Sequence, residues 1–215
     1  FVGLPVRKNG KLYNAAAVLN HGNILGFVPK THIPNYNEFY EQRHFSSGED
    51  VWDEITIGEE SVPFGSSLIF SCEELPELTV GAELCEDLWV PLPPSVKLAM
   101  SGAHIIVNLS ASDEMVGKDS YRRDLVKGQS ARLICGYIYA TAGEGESSQD
   151  LVFGGQNLIA ENGVLLAEAK RFQNSVIYGE IDVQRLADER RRLSTYPASD
   201  DADCQIVPFE VEVEE

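Results

Sequence analysis

The chain is poor in positive charge: 17 Lys and Arg stand against 34 Asp and Glu, a formal net charge of -17 over 215 residues. Such a surface repels phosphate backbones and anionic headgroups, and no basic cluster offsets it. The expected partners are therefore small molecules or proteins, with no nucleic acid and no membrane among them. No apolar run approaches the roughly 18 residues that span a bilayer. The four cysteines, at positions 72, 85, 135 and 204, form no CxxC pair and no dense framework, which suits a reducing, cytoplasmic setting. Histidines at 21, 32, 44 and 104 lack ligand spacing, so no metal is expected. The first residues, Phe1-Val2-Gly3-Leu4-Pro5, carry neither an initiator methionine nor a signal-peptide pattern and read as an internal stretch. What is present, 43% apolar and 24% charged residues with ordinary glycine and proline, is the composition of one folded domain.

Strand and turn signals come first along the chain. Phe1 to Val6 reads as a strand, Asn9-Gly10 as a tight turn, Leu12 to Leu19 as the returning strand, and His21-Gly22-Asn23 as a turn into Ile24 to Val28. This meander delivers Lys30 at the end of its third strand. The aromatic and acidic stretch Ile33 to Phe45 is too irregular for a long helix and reads as a loop. Ser46 to Val62 reads as a polar excursion, and strands resume at Ser67 to Ser71 and Leu78 to Leu84. Helix near Ser95 to Ser101, strand His104 to Leu109, helix near Asp119 to Leu133 and strand Tyr137 to Ala140 then alternate as βαβα units do. A hairpin around Glu161-Asn162-Gly163, a strand Ser175 to Asp182 and an amphipathic helix Val183 to Leu193 follow. The expected organisation is one domain over 1–196, then an acidic linker and a C-terminal strand or tail over 197–215.

The candidate chemistry centres on Cys85-Glu86-Asp87-Leu88-Trp89, where a short apolar strand ends at a thiol and the prolines Pro91, Pro93 and Pro94 lead into a helix. A side chain at a strand end is held rigidly yet can face a crevice, which suits a nucleophile. Buried structural cysteine is the alternative reading of the same pattern. If the strands are parallel, Asn108-Leu109-Ser110-Ala111-Ser112 reaches the same rim, so that Lys30, Cys85 and Ser112 combine a cation, a thiol and a hydrogen-bonding group. Gly143-Glu144-Gly145-Glu146-Ser147 is not a phosphate loop: it has no lysine, and its two glutamates would repel phosphate.

These stretches, together with Lys30-Thr31-His32-Ile33-Pro34-Asn35-Tyr36-Asn37-Glu38-Phe39-Tyr40-Glu41, resemble the glutaminase domain of glutamine-dependent NAD synthetases, within the nitrilase or carbon-nitrogen hydrolase superfamily. The likeness runs from residue 1 to about 196, with the motifs in the family's order. It implies an α/β fold, the nitrilase-like α-β-β-α sandwich, and a Glu-Lys-Cys triad in which Cys85 attacks the side-chain amide of glutamine, releases ammonia and leaves a glutamyl thioester for water. Lys30 would serve the thiolate and the oxyanion, beside a backbone N–H after Cys85. By the same resemblance Glu41 is a supporting glutamate, Tyr36, Glu86 and Ser112 line the glutamine pocket, and Lys118 meets the substrate carboxylate. Trp89 and Tyr36 could equally serve packing.

The resemblance also implies that this domain uses no cofactor of its own, since ATP, Mg and deamido-NAD belong to a synthetase domain. The expected partners are glutamine, that synthetase domain and further copies in a homo-oligomer. The chain departs from the pattern twice. The synthetase half is absent, and residues 1–37 contain no Asp or Glu, whereas the family's catalytic glutamate lies upstream of the lysine. The first strand region is thus expected to be missing. Two rival readings stand beside the glutaminase: a stand-alone amidase of the superfamily, and a non-catalytic assembly module.

Overall fold

The structure, a computed structural model, describes residues 1–146, 150–197 and 203–211. Three two-residue turns organise its hairpins. Asn9-Gly10, His21-Gly22 and Asn162-Gly163 all have positive φ at both positions (50° and 76°, 47° and 82°, 43° and 83°), the geometry whose twist matches that of the flanking strands. They join β1 (Val2–Lys8) to β2 (Lys11–Asn20), β2 to β3 (Asn23–Pro29), and, late in the chain, β10 (Leu158–Glu161) to β11 (Val164–Glu168). Asn and Gly tolerate this backbone readily; His21 takes the first position of the second turn.

The stretch read as a polar excursion is instead a hairpin, β4 (Trp52–Ile57) and β5 (Glu60–Gly65), with Gly58 at φ 63° in its turn. Its polar residues misled because β4 is an edge strand with most of its side chains in solvent. These five strands form one sheet in the order β1-β2-β3-β5-β4. The sheet curls enough to bring the Lys8 side chain on β1 within 3.2 Å of Asp53 on β4. Val6, Tyr13, Ala15, Ala17, Phe27, Val62 and Phe64 fill the inside of the curl.

The second sheet has seven strands. β6 (Leu68–Cys72), β7 (Thr79–Leu84), β8 (Ile105–Ser110), β9 (Gly136–Thr141), β10, β11 and β12 (Gln205–Phe209) lie in the order β11-β10-β9-β8-β7-β6-β12. β7, β8 and β9 are parallel. The strict alternation of strand side chains sends Leu68, Phe70, Ala82 and Leu84 to one face, against Ala16, Val18 and Val28 of the first sheet. Ile69, Ile106, Tyr137 and Leu158 go to the other, against Leu98 of α1 (Pro94–Met100) and Val126 and Leu133 of α2 (Lys118–Leu133). Among the described residues α1 and α2 lie on this sheet.

α3 (Val183–Arg192) starts at Asp182, whose carboxylate accepts from the amide of Arg185 at 2.9 Å. It is anchored by buried Arg190, which donates to the carbonyls of Ile134, Ala103 and Leu133 at 3.0, 2.8 and 3.0 Å. Ser175 to Asp182, read as a strand, joins no sheet. Its Ile181 packs where a side chain at Gly136 would sit, and Val176 and Tyr178 face solvent. Alternation predicts an extended backbone; it cannot supply the neighbouring strand that makes a ladder. At the C-terminus β12 pairs with β6 in parallel, so residues 205–209 belong to the same sheet as the rest of the domain. The acidic stretch at 200–202 lies outside the described residues.

Candidate active site

β7 ends at Leu84, and the chain turns at once through a single 3-10 turn, Cys85–Leu88. Cys85 has φ 48°, a left-handed conformation that costs an L-residue about 1–2 kcal/mol and persists only where neighbours hold it. Three hydrogen bonds do so. The Cys85 amide donates to Asn108 Oδ1 at 3.1 Å, the Leu84 amide to Asp87 Oδ2 at 3.0 Å, and the Trp89 amide to the Glu86 carbonyl at 2.8 Å. Cys85 is half-buried, whereas Cys72, Cys135 and Cys204 are buried. Burial pushes the Cys135 thiol up to about 12 and also raises that of Cys204, which leaves both poor nucleophiles at neutral pH.

Asn108 belongs to a buried polar chain beneath the turn. Glu83, Asn108 and Tyr139 lie abreast on β7, β8 and β9. The Asn108 amide donates to Tyr137 Oη at 3.2 Å, Tyr137 donates to Glu83, and the other oxygen of Glu83 accepts from the Ser95 amide at 2.8 Å. Ser110 Oγ donates to Asn108 Oδ1 at 2.8 Å. Burial is the main reason that the Glu83 carboxyl is pushed up to about 7, with Asp87 adding to it and the bonds from Tyr137 and Ser95 opposing it.

The cation arrives from the other sheet. Lys30 follows β3 and is wholly buried, yet its Nζ donates to both carboxylate oxygens of Glu41, at 2.9 and 2.8 Å. Glu41 opens the 3-10 turn Glu41–Arg43 within the aromatic loop. Asp87 joins the two halves: its carboxylate accepts from His32 N at 2.7 Å and Thr31 N at 3.3 Å as well as from Leu84 N. Burial pushes the Asp87 carboxyl up, and these three amides offset only part of that rise. Tyr36 Oη donates to Glu86 Oε1 at 2.6 Å, and burial followed by that carboxylate raises the phenol.

Two hollows flank the aromatic loop. One of about 810 Å³ is lined by Thr31, His32, Tyr36, Gln42, Ser47 and Glu86; one of about 270 Å³ by Glu38, Glu41, Phe45, Ala111, Leu151 and Phe153. A third, of about 600 Å³, lies along α1 beside Pro93, Lys97 and Met100 and is lined by no cysteine. Among the described residues no three His, Cys, Asp or Glu side chains converge as a metal ion would require.

The match to known proteins follows this geometry. The family model for carbon-nitrogen hydrolases matches residues 1–191. The chain belongs to the carbon-nitrogen hydrolase family. It is 43% identical over 197 residues to the glutamine-dependent NAD(+) synthetase of Mycobacterium tuberculosis, covering 91% of this chain and 29% of that protein. The crystal structure of a glutamine-dependent NAD(+) synthetase from Cytophaga hutchinsonii superposes with a TM-score of 0.69 at 30% identity, over 79% of this chain and 27% of that one. Nit3 of Saccharomyces cerevisiae, a member of branch 10 of the nitrilase superfamily, matches in fold with a TM-score of 0.65 at 18% identity, over 90% of this chain and 62% of that one. The fold is that of the nitrilase superfamily, mixed α/β with two sheets.

In this carbon-nitrogen hydrolase the candidate residues form linked groups around the turn at Cys85. Lys30 and Glu41 are directly paired, Tyr36 is bonded to Glu86, and Glu86 follows Cys85 in the turn. Ser112 lies just past β8, buried, with its hydroxyl accepting from Arg122 Nη2 at 3.2 Å. Lys118, at the start of α2, is ion-paired with Asp113 and stands 5.3 Å over the Trp89 ring. Trp89 in turn stacks on Tyr121 at 5.5 Å, so it packs the rim as well as edging it. Gly143 packs against Gly155, where a Cβ would meet the Gly155 Cα at 3.2 Å; residue 147 lies outside the described residues. Sequence reasoning passed over Glu83, Asp87 and Asn108. The signal for two of them was available: an acid inside Val80-Gly81-Ala82-Glu83-Leu84 and an amide inside Ile105-Ile106-Val107-Asn108 interrupt apolar strands, and a buried polar group needs a partner.

Proposed function

We propose that residues 1–215 form the glutaminase domain of a glutamine-dependent NAD synthetase. Cys85 Sγ attacks the side-chain amide carbon of glutamine, and the tetrahedral oxyanion is met by Lys30 Nζ and the Glu86 N–H. The C–N bond breaks with a proton delivered to the departing nitrogen, ammonia leaves, and water then cleaves the glutamyl thioester to glutamate. Tyr36 and Glu86 take the α-ammonium end, and Lys118 and Ser112 the α-carboxylate end. The observation that carries the reading is the strained turn at Cys85, tied through Asp87 to the strand end that bears the Lys30–Glu41 pair. The 43% identity to an enzyme named for its use of glutamine supports glutamine as the substrate.

The thiol proton needs a carrier. Glu86 is engaged with Tyr36, Asp87 with three amides, Glu83 with Tyr137 and Ser95, and Glu41 with Lys30. A well-placed base is worth about a hundredfold to ten-thousandfold, so residues 1–215 alone should turn over slowly. Ammonia release from glutamine, from asparagine and from simple amides, in the full-length protein and in residues 1–215, tests the assignment. Preference for glutamine, with covalent labelling of Cys85 by a glutamine-like electrophile while Cys72, Cys135 and Cys204 are spared, supports it. Equal use of simple amides would make the protein a general amidase, and absence of Cys85 labelling would remove the nucleophile.

A further inference from the structure

The thiol and the cation of this site stand on different sheets. Cys85 ends β7 of the seven-stranded sheet, and Lys30 ends β3 of the five-stranded one. Two packed sheets meeting mainly through apolar side chains, here Val28, Leu84 and their neighbours, do not by themselves fix the relative height of two strand ends. Apolar contacts are non-directional, and a slide of an ångström or so changes little of the buried area. A reacting centre is less tolerant.

We infer that Asp87 is the positioning residue that sets Lys30 against Cys85, by holding the main chain of both strand ends in one carboxylate. One of its oxygens takes His32 N–H at 2.7 Å; the other is shared by Thr31 N–H at 3.3 Å and Leu84 N–H at 3.0 Å. The residues bonded are the immediate neighbours of the pair: Thr31 and His32 follow Lys30, and Leu84 precedes Cys85. Asp87 is 1% exposed, so these bonds have no competition from water, and a buried carboxylate with its acceptors filled by amides is directional where the apolar contact is not. The fold holds each strand end separately as well. Lys30 N donates to Asn14 O at 2.7 Å within its own sheet, and Cys85 N to Asn108 within the other. Asp87 bonds across at the main chain of both strand ends, beside the side-chain bond from Tyr36 to Glu86. Asp87 reaches neither the thiol nor the ammonium and acts through their backbones. The inference rests on the assignment of Cys85 and Lys30 made above.

The test uses the full-length protein and two readouts that a merely structural defect would move together. Glutamine turnover needs thiol and oxyanion cation in register, whereas alkylation of Cys85 by iodoacetamide needs only the thiol. In Asp87→Asn, with one charge and part of the acceptor capacity gone, kcat for ammonia release should fall about ten- to a hundredfold, the scale of a misplacement near 1 Å. KM and the Cys85 alkylation rate should stay within about twofold. Amide hydrogen exchange at Thr31 and His32 should speed up while the rest of β3 keeps its protection. Asp87→Glu keeps the charge on a longer arm and should lie between; it carries the same comparison should Asp87→Asn not fold. Wild-type kcat in Asp87→Asn, or kcat and alkylation falling in proportion, would overturn the inference. A wild-type protein that releases no ammonia from glutamine would instead overturn the functional assignment, a separate and recognisable result.

Discussion

The two ends of the site are built on opposite plans. Around Cys85 the support is covalently near and deeply buried: a strained turn on three parallel strands, its amide bonded to Asn108 and the amide continued through Tyr137 to Glu83 under two helices. Around Lys30 the support is a loop, with Glu41 about a quarter exposed at the mouth and the ammonium ion wholly buried behind it. A nucleophile must arrive along one direction at one carbon, which calls for rigid backbone. The cation is held by its ion pair with a partly solvated partner and by the bonds of Asp87 to the two amides that follow it. A buried charge left without that partner would be costly.

The contrast can be broken at either end. Cys85→Ala should show the largest effect, removing ammonia release from glutamine by at least about a thousandfold in the full-length protein while synthesis driven by added ammonia persists. Lys30→Met should cost about a hundredfold to a thousandfold in glutamine turnover, the scale of one lost oxyanion donor, and should likewise spare ammonia-driven synthesis. A parallel loss of both activities would point to unfolding, since Lys30→Met also strips Glu41 of its partner. Asn108→Ala acts on the rigid side without touching substrate. It leaves the Cys85 amide and the Tyr137 hydroxyl short of a partner, so it should lower stability by about 1–3 kcal/mol in thermal or denaturant unfolding and slow turnover about tenfold, through a turn no longer pinned.

The sharpest test is a pH dependence. Burial holds the Glu83 carboxyl at about 7, against 4.5 for the free group. As pH rises from below 4.5, the unfolded chain gives up this proton first, so the folded state holds more protons and its advantage declines through the window until Glu83 itself ionises near 7. The stability that neutral Glu83 contributes is thus complete below about pH 4.5 and lost by about pH 7.5, a change on the order of 3 kcal/mol at 1.36 kcal/mol per unit. Glu83→Gln should remove that decline. Unfolding free energies of the two proteins compared at pH 5 and pH 8 read it directly, and a difference between them that does not change with pH would show that Glu83 is charged throughout.

Much of the rigid side was legible in the chain. Turns announce themselves locally, because Asn9-Gly10 and Asn162-Gly163 accept the positive φ a two-residue hairpin requires. The strand, turn and helix around Cys85 follow from an apolar run, two acids and the prolines before α1. The order of motifs, with the resemblance they carry, points to Lys30, Glu41, Tyr36, Glu86 and Ser112. Where the signal was local, the expectation and the structure agree closely.

What the tertiary structure decided is everything that depends on a partner far away in sequence. Ser175 to Asp182 alternates like a strand yet has no neighbour to bond, and Trp52 to Gly65 looks like loop yet pairs into a hairpin at a sheet edge. Asp87 reads as one more of 34 acids until the amides of Thr31 and His32 are seen on it. Local φ/ψ preference and side-chain alternation are properties of a few adjacent residues and can be read off them. Which strand ends face one another, and which buried carboxylate ties them, is set by the packing of two sheets, a balance of non-directional burial and a few directional bonds that exists only once the chain has closed on itself.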